Sequence, residues 1–357
     1  MEVQCHPIST APGTTALLRA FLEPAVADTA SLRRWYGSEP FGFGWAKSAP
    51  ELSSEHRDKL AALLLDQAER FGAGDAAREN IEHLRNGAAA VVTGQQVALF
   101  GGPLLTILKA ATAIRKAQDA SAVTGRKYVP VFWLASEDHD LAEVDQISLL
   151  TKTELETLKL GLDPARPVPV GSLRVDGDTE AGWAKLDAAI ERASELIGWG
   201  PVSDLLRECY AQPGTTLAQG YGRLISAVFA EFGLVVLDAS SRGFHELGAP
   251  VFRAAIEHAG ALETALLERS EELTARGYHA QVLVSPGHSL LFLLDAETGA
   301  RQPLRRIEND AWKAGGQTYS TEELLAILES SPERLSPNAL LRPVFQDAIL
   351  PTAAYIG

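Results

Sequence analysis

The sequence predicts an α/β protein whose core is a parallel sheet covered by helices. Three observations predict it. Ala88–Thr93 and Val129–Ala135 are short runs of small, apolar and β-branched residues, the pattern of strands buried on both faces. Leu104, Ile107, Leu108, Ala111 and Ile114 recur between them at helical spacing, and "GLVVLDASS" repeats the strand signature further along. Strand, helix and strand from Ala88 to Ala135 form a βαβ unit, for which a right-handed crossover is expected.

Composition bounds the function classes. The 357 residues suffice for two domains or for one core with large insertions, and 46% hydrophobic content can fill either. Thirty-two Lys and Arg against 46 Asp and Glu leave a net charge of −14, which repels a nucleic-acid backbone, and no basic run offsets it. Cys5 and Cys209 are too few and too far apart for a disulfide framework or a thiolate zinc site. A reducing cytoplasm is therefore expected. The start "MEVQCHPIST" has no charged-then-apolar leader, and no apolar stretch approaches the roughly 20 residues of a membrane helix. A soluble protein without nucleic-acid or membrane partners follows, and no ligand spacing assigns a metal.

Residues 1–150 are read as an N-terminal helical segment followed by the first half of the core. "SSEHRDKLAALLLDQAERF" is a helix with Ser53 or Ser54 as N-cap, packing on the core or serving as a lid. The first strand runs into "VVTGQQVALFGGPLLTILKA", at the carboxyl end of a parallel strand, where open sheets bind ligands. Gly101 and Gly102 allow torsions and close approach that a side chain forbids, and Pro103 suits the first helical position, so free N–H groups are expected to face a ligand. Gln95 and Gln96 are costly to bury unless hydrogen-bonded. The stretch fits neither G-x-x-x-x-G-K-[ST] nor G-x-G-x-x-G. Gly94, Gln95, Gln96, Gly101, Gly102 and Lys109 are the candidate cofactor-binding groups; the competing reading is a packing turn and a solvated lysine.

"SEDHD", Ser136–Asp140, follows the second strand. Glu137, Asp138, His139 and Asp140 could bind an amine, move a proton, hold Mg²⁺ or merely cap a helix, and they are the candidate catalytic residues, with Ser136 assigned to substrate. Residues 151–215 read as an insertion containing the helix "EAGWAKLDAAIERASELI"; residues 216–245 resume the core with a helix and the strand Leu234–Leu237, ending in Asp238 and Ser240. Residues 246–334 form a second insertion with a β-meander over "HAQVLV", "SLLFLLD" and "RQPLRRI". There His279 and Gln281 line a pocket or face water, and Arg305 and Arg306 either recognise an acidic ligand or answer local carboxylates. The final segment, 335–357, places Asn338, Arg342, Gln346 and Asp347 in an apolar tract, as further substrate candidates beside Asp238. A chain stopping on "AAYIG" is expected to continue in a longer parent.

"VVTGQQVALFGGPLLTILKA", "VPVFWLASEDHDLAEV", "GLVVLDAS", "GYHAQV" and "NALLRPVFQDAILPTAAYIG" resemble, in order from about Val91 to Gly357, the cysteine-adding enzymes of bacillithiol biosynthesis, the BshC family. The resemblance implies a Rossmann-type core with inserted connecting peptides, similar to class I aminoacyl-tRNA synthetases, and a coiled-coil dimerisation segment beyond Gly357. The parent would be a homodimer and this chain a monomer. The implied activity adds L-cysteine to glucosaminyl-malate. A carboxylate is a poor electrophile, so activation is needed and ATP is the implied cofactor. Gly101–Gly102 stands at the position of the synthetases' histidine–glycine signature, although the histidines are missing. A non-catalytic nucleotide or small-molecule binding module and a sugar-phosphate transferase are the alternative readings.

Overall fold

The computed structural model describes residues 6–23, 35–36, 41–177, 179–307 and 311–357. Ser53 accepts a hydrogen bond from the His56 N–H and starts helix α1, Ser54–Arg70; α2, Asp75–Arg85, packs beside it. Strand β1, Ala89–Gln96, leads through the glycine turn into α3, Leu104–Thr124, and then β2, Tyr128–Ala135. A hairpin of β3, Gln146–Leu150, and β4, Leu155–Lys159, precedes α4, Glu180–Ile197, α5, Pro201–Tyr210, and α6, Leu217–Val228. β5, Val235–Asp238, is followed by α7, Arg242–Glu257, and α8, Ala259–Ala275. β6, His288–Leu294, β7, Arg301–Arg306, β8, Trp312–Ala314, and β9, Gln317–Tyr319, precede α9, Thr321–Ser330. β10, Leu335–Pro337, α10, Arg342–Ile349, and β11, Thr352–Ile356, end the chain.

The main sheet is parallel in the order β11-β1-β2-β5. Counted along the chain, its strands lie third, second, first, fourth from the β5 edge. This is the doubly wound order, with its switch point between β1 and β11. Ala90, Val92, Val129, Val131 and Trp133 point into a core with α1, α2, α7 and α10. Phe132, Leu134 and Val236 point the other way, onto α3 to α6. Both faces are covered, which is why the strands read as continuous apolar runs rather than alternating ones.

Three local expectations change. The stripe expected on α3 is rotated: Thr106, Ala110, Ala113, Ile114, Ala117 and Ala120 are buried, whereas Leu104 (71% exposed), Leu108 and Ala111 face out. Small residues let the helix lie close on the sheet, while the leucines of its first turns stay exposed. Pro103 is the N-cap of α3, one residue ahead of the first helical position. "HAQVLV" is not a strand. The second sheet has the order β10-β6-β7-β8-β9, so β10 already occupies the edge of β6 where that strand would pair, and His279 and Gln281 are left in water. The segment 335–357 accordingly begins in the second sheet and crosses to the first.

Cys209 is buried and free, its thiol pushed up to about 11 by burial; Cys5 lies outside the described residues. Among the described residues no helix is long and apolar enough to cross a membrane, and no group of three or more His, Cys, Asp or Glu could hold a metal ion.

Candidate active site

The carboxyl ends of β1, β2, β5 and β11 share one rim, and the paired glutamines divide it. Successive strand residues face opposite sides of the sheet. Gln95 accepts from Lys109 Nζ at 3.3 Å, while Gln96 Nε2 donates to Asp138 Oδ2 at 3.2 Å and also to Glu143.

On the Gln95 side, Lys109 reaches back from α3 to Gly94 O at 2.7 Å. Gly94 lies so close to its neighbours that a Cβ there would sit 2.8 Å from Trp133 O and 3.5 Å from the Tyr355 hydroxyl. Burial, and then the charge of Arg342, lower the Lys109 ammonium pKa. Arg342 donates to Gln346 Oε1 at 2.9 Å and stands 5.1 Å over the Tyr355 ring. Gln346 is buried and donates to Asp347 Oδ1 at 3.3 Å and to Thr352 Oγ1 at 3.5 Å. Burial raises the Asp347 carboxyl pKa against the opposing pull of Thr352, Gln346 and Arg342. Two cations thus face each other at the switch point, and an anion between them would relieve their repulsion.

On the Gln96 side lies "SEDHD". Ser136 is buried and donates to Asp238 Oδ1, which also accepts from the Ser240 N–H at 3.1 Å. Gln67 clamps the Asp238 backbone, accepting its N–H at 3.0 Å and donating to its carbonyl at 2.6 Å. Burial raises the Asp238 carboxyl pKa. Ser136 and Asp238, expected on the substrate, therefore hold β2 to β5. Glu137 Oε1 lies 3.3 Å from Nε2 of the fully buried His245, off the hydrogen-bond axis, and His245 Nδ1 donates to Pro332 O at 3.0 Å. Burial, the largest single influence, favours the neutral imidazole, but the charge and close approach of Glu137, the Pro332 carbonyl and the charge of Glu333 together outweigh it and the pKa rises.

Asp138 and His139 remain accessible. Asp138 Oδ1 accepts from the His139 N–H at 2.7 Å. His139 Nδ1 lies 3.0 Å from Arg301 Nη1. Arginine has no acceptor, so Nδ1 accepts and the neutral ring carries its proton on Nε2. The Nδ1 lone pair is therefore unavailable as a base. Arg301 is buried and spends its other donors on Ser336 Oγ and Pro337 O, both at 3.0 Å, with the guanidinium 3.7 Å above the Phe292 ring. The first insertion straps the loop: Val170 N–H donates to Asp138 O at 2.7 Å and Gly171 N–H to Ser136 O at 2.9 Å. Asp140 is exposed and makes no capping bond.

Other expected groups have structural employment. Asn338 Oδ1 accepts the Leu340 and Leu341 N–H groups, both at 3.0 Å, ahead of α10. Phe100, Gly101 and Gly102 have φ of 51°, 93° and 67°, so the double glycine is required by the turn itself. The Gly101 and Gly102 N–H groups donate to Ala98 O and Leu99 O, contrary to the expectation that they face a ligand. The uncapped first turn of α3 is what the turn presents, without an acidic side chain. Arg301, His245, Glu143, Gln67 and Tyr355 escaped sequence reasoning. Glu143 lies three residues beyond "SEDHD", and Gln67, Arg301 and Tyr355 lie within quoted segments but carried no spacing that marked them.

Residues 1–357 match the family model described as "Bacillithiol biosynthesis BshC, N-terminal Rossmann-like domain". A Koribacter versatilis (strain Ellin345) protein named "Putative cysteine ligase BshC" is 41% identical over 361 residues, covering 100% of this chain and 65% of that protein. Proteins of the same name from Salinibacter ruber (strain DSM 13855 / M31) and Solibacter usitatus (strain Ellin6076) are 38% and 39% identical, covering 84% and 76% of this chain and 54% and 49% of theirs. The chain spans less than two thirds of the length of these relatives.

Proposed function

The chain belongs to the BshC family of bacillithiol biosynthesis, matching its N-terminal Rossmann-like domain throughout, and from that premise we propose that it provides the site where L-cysteine is joined to the amine of glucosaminyl-malate. The observation that carries the reading is a rim with opposite charges on its two sides, linked by Gln95 and Gln96: Lys109 and Arg342 on one, Asp138 and His139 on the other.

Amide formation needs an anion held, an ammonium deprotonated and the developing oxyanion met by a donor. Lys109 and Arg342 are the groups for the carboxylate. Asp138 accepts the proton from the substrate ammonium, because an ammonium has no lone pair with which to attack. His139 acts through Nε2–H as a donor, since Arg301 occupies Nδ1. When bound, ATP supplies activation of the cysteine carboxylate, whose oxygen otherwise leaves poorly. The uncapped, acid-free start of α3 at the end of β1 fits a phosphate, and the doubly wound strand order supports kinship with class I synthetases. In the same reading the whole protein works in the cytoplasm as a homodimer joined by a coiled coil beyond Gly357, and the 357-residue chain sediments as a monomer.

Isothermal titration of glucosaminyl-malate into the wild-type chain and into its Lys109→Gln and Asp138→Asn variants tests the reading. Binding by the wild type and loss in Lys109→Gln is expected. Equal affinity in all three proteins would place the substrate elsewhere.

A further inference from the structure

We propose that the antiparallel sheet carries a second site, for a small oxyanion of two or more negative charges, formed by Arg166, Arg305 and Lys313. Arg305 on β7 and Lys313 on β8 are directly paired in register, so their side chains leave the same face at adjacent positions. His288 of β6 pairs with Arg305 and extends the row. Like charges placed opposite one another across strands are destabilising unless something negative stands between them. Among the described residues no carboxylate lies within ion-pair distance of Arg305 or Lys313, in a chain whose net charge is −14. The neighbouring Arg306, by contrast, turns to Glu263 at 3.4 Å.

These side chains line a cleft of about 420 Å³, whose wall also includes Pro167, Arg301, Gln302 and Pro303 and, among the described residues, no acidic one. Its shape is held from behind. The Arg301 N–H donates to Pro167 O at 2.9 Å, tying the loop that bears Arg166 to β7. Two prolines fix the local backbone of the wall that the cations share. Two guanidinium forks and an ammonium match paired oxygens on a phosphate or a carboxylate, and with Arg166 partly offset by the nearby Asp295 carboxylate the remaining surplus of positive charge favours a multiply charged ligand over a single one. Arg301 lines the cleft and also reaches His139, so the cleft borders the rim, while the row of Arg305 and Lys313 extends away from it along the sheet. The site's existence does not depend on the reaction proposed above.

Isothermal titration of the 357-residue chain with inorganic pyrophosphate and, separately, with succinate tests the site and distinguishes its two ligand sources. Binding of either supports it, and the tighter of the two assigns phosphate or carboxylate chemistry. Arg305→Gln and Lys313→Gln should each weaken binding about tenfold, the effect of one charge-assisted contact. Lys109→Gln should leave it unchanged. Both altered side chains are exposed, so folding is expected to survive and is checked by circular dichroism. Failure of both anions to bind, or binding lost in Lys109→Gln but kept in Arg305→Gln and Lys313→Gln, overturns the proposal.

Discussion

Arg301→Met tests whether one buried guanidinium supports both the second sheet and His139. Methionine keeps the stem and much of the volume while removing every donor. Two acceptors, Ser336 Oγ and Pro337 O, lose partners 3.0 Å away, at about 1–3 kcal/mol for each one left buried and unpaired. The stacking over Phe292 at 3.7 Å contributes roughly another 1 kcal/mol. Against this, burial already penalises the charged guanidinium and lowers its pKa, so deleting the charge returns part of the cost. A net loss of about 2–4 kcal/mol is expected, read as a lower urea midpoint with unchanged slope. The second readout is the His139 ring. Nitrogen NMR of the wild type should show the neutral ring protonated at Nε2, and Arg301→Met should admit the Nδ1–H form, because the donor that excluded it is gone. A wild-type ring already protonated at Nδ1, or a variant losing less than about 0.5 kcal/mol with its tautomer unchanged, would refute the reasoning.

The His245 pKa is raised above its ordinary value, so the stability it contributes is complete below about pH 6.5 and fades as pH rises through the higher folded value. Urea midpoints at pH 6 and pH 8.5 should differ in the wild type and converge in Glu137→Gln. Gly102→Ala must adopt φ of 67° and bring a Cβ to 2.9 Å from that of Ala98, so it should cost of order 1–3 kcal/mol in denaturant titration; wild-type stability would return the turn to a ligand-binding role. Asp138→Asn should slow ligation by the full-length protein about 10²- to 10⁴-fold in a mass-spectrometric product assay, with glucosaminyl-malate affinity nearly retained.

What the sequence displayed was local. The buried strands β1, β2 and β5 announce themselves because both faces are covered, and α1 announces itself by Ser53. The α3 stripe misled because leucines were weighted above alanines: close packing on a sheet selects small residues, and Leu104 and Leu108 face solvent. "HAQVLV" misled for a different reason. Its β-propensity is real, but a strand needs an open edge, and β10 takes the available one. Arg301 meets His139 across 162 residues of chain, and Tyr355 meets Gly94 through a sheet pairing whose partners are far apart in sequence. Neither contact has a periodicity or spacing from which it could have been read.

The glutamines show how the sheet's register and the site's chemistry constrain each other. Gln95 pairs in register with Leu134 and Gln96 with Ala135, at the end of a strand otherwise almost wholly buried. Strand alternation gives Gln95 to Lys109 and Gln96 to Asp138, so the two amides link a cationic and an acidic side chain from opposite faces. A one-residue slip of β1 would exchange those faces and strand both amides without partners, besides turning Val92 away from Val131 and Trp133. The apolar part of β1 therefore fixes the register that the polar end requires. Because glutamine is uncharged, the link can accept from an ammonium on one side and donate to a carboxylate on the other without adding charge to either side.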